Sequence, residues 1–230
     1  MKTLGLIGGI SWFSTEVYYR TINQLVNEQL GGSNAARLLL YSVNFNDFKI
    51  IQETEDWPGL EKMLIEIAQT LEKAGAECIV MCTNTPHIVA NGIQEKINIP
   101  LLHIAEETAK EISKQQFSKV ALLGTKFTME HSFFKDRLSN HGIHPVIPDS
   151  ADRQFIHNSI IEELTKGIFK AETRKRYLEI IEKLSKNGAQ GVVFGCTEIV
   201  LLIKQEECTI PVFDTTRIHS RAAVAFALNS

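Results

Sequence analysis

Ala189-Gln190-Gly191-Val192-Val193-Phe194-Gly195-Cys196-Thr197-Glu198 is the stretch on which the reading of this chain turns. Its first part is an apolar run with glycine at either end, the pattern of a strand buried on both faces, and it turns abruptly polar where a helix would begin. The same plan stands earlier, in Ala76-Glu77-Cys78-Ile79-Val80-Met81-Cys82-Thr83-Asn84-Thr85, where Thr83 takes the place of Cys196. Two more pairs lie further out. Leu4-Gly5-Leu6-Ile7-Gly8-Gly9 resembles Val120-Ala121-Leu122-Leu123-Gly124-Thr125, and Ile99-Pro100-Leu101-Leu102-His103 resembles Ile210-Pro211-Val212-Phe213-Asp214. Gly8 and Gly124, Thr83 and Cys196, and Pro100 and Pro211 stand 116, 113 and 111 residues apart. One such pair could be chance, because strand ends recur in α/β proteins; three in order at nearly constant separation argue for a duplication.

Between these runs the pattern is helix-periodic. A strand over Thr3–Gly8 leads into a helix from about Ser14 to Leu30, stopped by Gly31-Gly32; Arg37–Phe45 reads as the next strand, Pro58–Lys73 as the next helix and Glu77–Met81 as a buried strand. Strand–helix alternation of this kind predicts an α/β fold with parallel sheets. The expected architecture is two pseudo-symmetric lobes, each a mostly parallel sheet flanked by helices, with the active site between them. The lobes are placed at residues 1–114 and 115–213, and a last helix, Thr215–Leu228 within the segment 214–230, is expected to pack back on the first lobe. No Pro/Gly/Ser-rich linker separates them.

Composition narrows the function classes. Apolar content of 44% and charged content of 22% are those of an ordinary globular chain. A net charge of −3 without a basic tract gives no electrostatic footprint for nucleic acid or an anionic membrane, so a small ligand is the expected partner. The glycine-broken start Leu4–Ile10 reads as a strand, not a signal peptide, and no apolar run approaches the roughly 18–20 residues of a membrane span. A cytoplasmic location is expected. Cys78, Cys82, Cys196 and Cys208 are too scattered for a disulfide framework or a zinc site.

The glycine turn after the first strand is neither G-x-G-x-x-G nor a phosphate loop, which sets nucleotides aside. With Ser11 it can still offer N–H groups and a hydroxyl to a carboxylate. Cys196 falls where a strand ends and a helix begins, a place that favours a thiolate usable as base and acid, although an inert core cysteine fits the position as well. Thr83-Asn84-Thr85 clusters polar groups at the matching strand end, as an anion site or as a simple helix cap. Cys78 and Cys82 read as core, Cys208 as surface, and His87 as either a site residue or a helix-face residue.

These residues resemble the aspartate/glutamate racemases, most closely the bacterial branch specific for L-aspartate and L-glutamate. The resemblance runs from Lys2–Gly9 through Leu30-Gly31-Gly32 and Ala121–Thr125 to Phe194–Ile199 and Pro211–Thr215. Members are known for two cysteines, in a C-N-T and a G-C-T-E segment, that flank the substrate α-carbon without pyridoxal phosphate or metal. The second segment is intact here; in the first, Thr83 replaces the cysteine and Cys82 falls one residue early, on the opposite face of the strand. The resemblance implies a cofactor-independent homodimeric isomerase in which Cys196 and Thr83 are the catalytic pair. It further implies that Asn84, Thr85 and Thr197 bind the α-carboxylate, while Ser11 and Gln52 fix the substrate. Lys166 is a candidate partner for a side-chain carboxylate, or a solvated helix-end lysine. A one-thiol decarboxylase, a hydantoin racemase and a non-catalytic amino-acid-binding protein are the competing readings.

Overall fold

A computed structural model describes residues 1–229. Eight strands form two four-stranded sheets. The first contains β1 (Leu4–Gly8), β2 (Leu38–Ser42), β3 (Cys78–Met81) and β4 (Leu101–Leu102) in the order β2-β1-β3-β4. The second contains β5 (Lys119–Gly124), β6 (His144–Val146), β7 (Gly191–Gly195) and β8 (Val212–Asp214) in the order β6-β5-β7-β8. Every pairing is parallel, and the two orders are the same once the second set is renumbered. The fold is thus α/β and internally duplicated, with the paired segments of the sequence forming equivalent strands.

The chain divides into two compact units. Unit 1 comprises Met1–Ile104 and the C-terminal helix from His219 onward; unit 2 comprises Ala105–Ile218. The division thus precedes the boundary at 114/115 read from the sequence, because the helix Ile104–Lys114 belongs almost wholly to unit 2. Within unit 1, Ala223, Val224 and Ala227 of the helix Thr215–Leu228 pack against Leu4, Leu6, Tyr18 and Val26. Ser230, the end of the segment assigned to this helix, lies outside the described residues.

Local chemistry explains the connections that matter. Gly9 has φ 81°, and a Cβ there would strike the Val43 backbone, so the turn out of β1 requires glycine. Its N–H donates to Thr15 Oγ1 at 2.8 Å. Ser11 then caps α1 (Trp12–Leu30), accepting from the Ser14 N–H, and Gly31 closes that helix at φ 69°. The strand expected over Arg37–Phe45 stops at Ser42. Asn44 caps a helix instead, α2 (Phe45–Glu53), and Asp56 caps the next, α3 (Trp57–Lys73), with Pro58 in its first turn. Gln52 is therefore a helical residue.

In a sheet of order 2-1-3-4 the connections leave β1 and β3 in opposite directions, which opens a crevice beyond their carboxyl ends. β1 and β3 are hydrogen-bonded neighbours with Ile7 opposite Met81, and β5 and β7 are neighbours with Gly124 opposite Gly195. The turn carrying Ser11 and the segment Thr83–Thr85 flank this point in unit 1. Thr125 and the segment Cys196–Glu198 flank it in unit 2.

Candidate active site

Cys196 follows β7 directly and is 8% exposed. Its Sγ donates to Glu198 Oε2 at 2.9 Å, and the Thr197 hydroxyl donates to the same oxygen at 2.6 Å. Glu198 is itself only 4% exposed. Burial, reinforced by the Glu198 carboxylate, pushes the Cys196 thiol well above its ordinary range. This corrects the expectation of a thiolate favoured by a helix N-terminus. The helix that follows, Ile199–Leu202, has four residues and begins three positions later, so its dipole is short and displaced, while a carboxylate stands beside the sulfur. The resting group is a neutral thiol aimed at a proton acceptor.

Glu198 is the candidate site residue that sequence reasoning passed over, although it stood in the quoted Gly-Cys-Thr-Glu segment. Thr197, expected to bind a carboxylate, spends its hydroxyl proton on Glu198 in this structure. Tyr177, whose hydroxyl makes a 2.9 Å hydrogen bond with Ser159 Oγ, lies in the same apolar cluster as Cys196. Thr215 ties the end of β7 to the helix after β8 by donating to the Phe194 carbonyl at 2.8 Å.

At the matching end of β3, Thr83 is half-buried, and Asn84 and Thr85 are buried at the start of a 3-10 turn over Thr85–Val89. Ser14 Oγ of α1 donates to the Cys82 carbonyl, and the Cys82 N–H donates to the Ile7 carbonyl at 2.9 Å. These bonds bring the Ser11 turn and Thr83–Thr85 together at one edge of the sheet. Ser11 is held at φ 67°, a left-handed conformation that a non-glycine residue rarely adopts, directly after the Gly8-Gly9-Ile10 turn. Gln52 is half-buried near the end of α2, in the β–α connection that follows β2. Cys82 is 1% exposed and packs with Cys78, Val80, Leu4 and Leu6; burial raises its thiol pKa, with no carboxylate beside it to take the proton. Lys166 is exposed, just before Gly167 at φ 71°. Among the described residues no cluster of three or more His, Cys, Asp or Glu side chains could hold a metal ion, and no helix is long and apolar enough to cross a membrane.

Fold and site define a class: a duplicated parallel α/β enzyme with a thiol set against a buried carboxylate at the carboxyl end of one sheet. The chain belongs to the Asp/Glu/hydantoin racemase family, whose model matches residues 7–223, and is by that membership an isomerase of the amino-acid racemase class. A crystal structure from Yersinia pestis, of a protein provisionally called an Asp/Glu racemase, is 48% identical with a TM-score of 0.95 and covers 100% of both chains. The aspartate racemase homologue from Pyrococcus horikoshii OT3 is 36% identical with a TM-score of 0.87, again over 100% of both chains. The Bacillus subtilis (strain 168) protein RacX, named a broad specificity amino-acid racemase, is 24% identical over 225 residues, 96% of each chain.

Proposed function

We propose that this enzyme racemises aspartate and glutamate without pyridoxal phosphate or metal, with Cys196 as the principal acid/base on one face of the α-carbon and Thr83 on the other. The observation that carries the reading is the hydrogen bond from the Cys196 thiol to the buried Glu198 carboxylate. Proton abstraction requires the thiolate. The thiol proton passes to Glu198, the sulfur takes the α-hydrogen, and the resulting planar intermediate is reprotonated. Return from Cys196 gives back the same enantiomer; delivery from the Thr83 side inverts it.

Removal of the α-hydrogen places charge on the substrate carboxylate, which oriented donors stabilise. Asn84 and Thr85 are proposed to supply them, joined by Thr197 once its hydroxyl turns from Glu198, while Ser11 and Gln52 hold the rest of the substrate. A threonine hydroxyl is a far weaker acid than a thiol, so inversion lags behind exchange. The names of the Yersinia and Pyrococcus structures favour acidic substrates, and the whole-length likeness to RacX favours amino acids over hydantoins. A cytoplasmic homodimer is part of the same proposal.

The test is α-hydrogen exchange of L- and D-aspartate and glutamate in deuterated water, followed by NMR, on protein dialysed against a chelator and treated with a carbonyl reagent. Exchange is expected to persist. Exchange lost on dialysis and restored by pyridoxal phosphate or a divalent metal would overturn the mechanism. Binding without any exchange would make this an amino-acid-binding protein, and release of carbon dioxide or turnover of a hydantoin would point to the other one-thiol chemistries.

A further inference from the structure

Three histidines far apart in sequence meet in the interior of unit 1. The ring centroids of His87 and His103 are 4.9 Å apart and those of His87 and His219 are 5.6 Å apart; Tyr18 meets His219 edge-on at 5.7 Å. His219 is 0% exposed and uses both ring nitrogens: Nε2–H donates to the Leu102 carbonyl at 2.8 Å and Nδ1 accepts from the Tyr18 hydroxyl at 2.9 Å. His87 is 1% exposed and differs. Its Nδ1 lies 3.2 Å from the Asn84 carbonyl oxygen, while its buried Nε2 faces the Leu102 carbonyl, already taken by His219, without making a well-formed hydrogen bond.

A carbonyl oxygen only accepts, and of the two carbonyls beside the ring only that of Asn84 is within hydrogen-bond geometry, which assigns the proton of the neutral His87 ring to Nδ1 and a buried lone pair to Nε2. That unpaired acceptor costs its desolvation. An apolar side chain would fill the space without this cost, so what the imidazole contributes is its Nδ1–H. The same Asn84 oxygen also accepts the His87 backbone N–H at 3.1 Å. Two donors from one residue therefore fix the direction of one carbonyl. Because the peptide group is planar and trans, that direction sets the Asn84–Thr85 peptide plane and the start of the turn carrying both residues.

We propose that His87 is a positioning residue: by pinning the Asn84 carbonyl it orients the Asn84–Thr85 peptide and so the donors that meet the substrate α-carboxylate. This rests on the function proposed above for Asn84 and Thr85. Burial and the neighbouring imidazoles of His103 and His219 lower the His87 pKa, which keeps the ring neutral and the Nδ1–H in place at working pH.

Two variants separate this role from simple packing. His87→Leu fills the space without a donor; His87→Asn places an amide N–H near the position of Nδ1. With L-aspartate and L-glutamate as probes, His87→Leu is expected to raise KM for α-hydrogen exchange about 10-fold, the scale of one weakened hydrogen bond to a charged group, with kcat changed far less. Amide hydrogen exchange should speed up over residues 83–89 and stay unchanged in unit 2. His87→Asn should return both readouts most of the way to wild type. Unchanged KM and unchanged protection in His87→Leu, or an Asn variant no closer to wild type than the Leu variant, overturns the proposal. If the wild type exchanges no α-hydrogen, the functional reading fails, and protection over 83–89 still decides whether His87 pins the turn. Should His87→Leu not fold, His87→Gln, whose amide reaches toward the Nε2 position, serves as the variant lacking the donor near Nδ1.

Discussion

β3 and β7 occupy the same place in two sheets of the same order, and each ends in a short polar segment at the carboxyl edge. Beyond β7 stand a thiol, a hydroxyl and a carboxylate joined through one oxygen, Glu198 Oε2. Beyond β3 stands a hydroxyl, Thr83, while the nearest thiol, Cys82, has turned into the apolar cluster with Leu4 and Tyr18. The duplicated fold provides two equivalent strand ends; on the proposed mechanism the side chain at one equivalent position sets how strong an acid works there. A displacement of one residue along a strand end places the Cys82 sulfur in the core and not at the position equivalent to Cys196, because successive side chains point to opposite faces.

The largest test of this contrast exchanges each thiol for a methyl group. Cys196→Ala should lower α-hydrogen exchange by about 10³-fold or more, within the range for losing a general acid/base, while L-aspartate and L-glutamate still bind. Cys82→Ala should keep most activity and lower stability by about 1 kcal/mol, the usual scale for a small core truncation. Exchange rates and thermal unfolding of the two variants check both statements. The opposite ranking in activity would place the unit 1 thiol in the site.

The units also differ in their buried bases. Unit 1 hides His87 and His219 as neutral rings, whereas the thiol and carboxylate beside β7 belong to unit 2. Burial lowers the His219 pKa to about 4, against 6.5 when exposed. Between these values the unfolded chain binds a proton that the folded chain refuses, so stability falls as pH drops from 6.5 toward 4 and is unaffected by this group above that window. The loss from His219 is about 3 kcal/mol over the whole interval, and His87 acts in the same direction. Denaturant titrations across pH 4–7 should show this slope. His219→Gln, which keeps a donor for the Leu102 carbonyl but does not titrate, should flatten it; an unchanged slope would show that the ring is protonated in the native state.

Glu198 sharpens the comparison at the unit 2 end. Glu198→Gln removes the acceptor for the thiol proton and should slow exchange about 100-fold, the low end for loss of a general base. The same change removes a negative charge that raises the Cys196 pKa, so alkylation by iodoacetamide at pH 8 should become faster, about 10-fold for each unit the pKa falls. Slower catalysis with faster alkylation separates a proton acceptor from a residue that merely packs. If both rates fall together, Glu198 holds the thiol in place and does nothing more.

How much of this was legible beforehand follows from the range of each interaction. Parallel strands buried on both faces leave continuous apolar runs, which is why β1, β3, β5 and β7 and their duplication could be read directly. α2 was not, because its apolar residues Phe45, Phe48 and Ile51 follow β2 so closely that strand and helix patterns merge, and only the Asn44 cap separates them. β6, with three residues and Pro145 at its centre, carries too little pattern, whereas β4 could be read only through its likeness to the segment of β8. Cys196 and Thr83 could be located through the repeat. The Glu198 carboxylate folding back onto the sulfur could not, since this depends on the turn between β7 and the next helix. The meeting of His87, His103 and His219 is a purely tertiary event.

The smallest effect concerns Thr83. The two enantiomers of an amino acid have equal free energy in water, so kcat/KM for racemisation must be equal in the two directions, and a strictly one-way racemase cannot exist. Unequal acids on the two faces instead separate exchange from inversion. The enantiomer whose α-hydrogen faces Cys196 should exchange quickly and return unchanged, and the resemblance to the L-specific branch makes L the expected enantiomer. On the proposed mechanism inversion waits on the Thr83 side. Thr83→Cys changes side-chain volume little at a half-buried position and supplies an acid of usable pKa, so net racemisation should rise by about 10-fold with little change in L-exchange. NMR in deuterated water follows exchange, and chiral chromatography follows inversion, from each pure enantiomer of aspartate and glutamate. Equal initial exchange from both enantiomers in the wild type, with no gain in Thr83→Cys, would remove the asymmetry between the two strand ends.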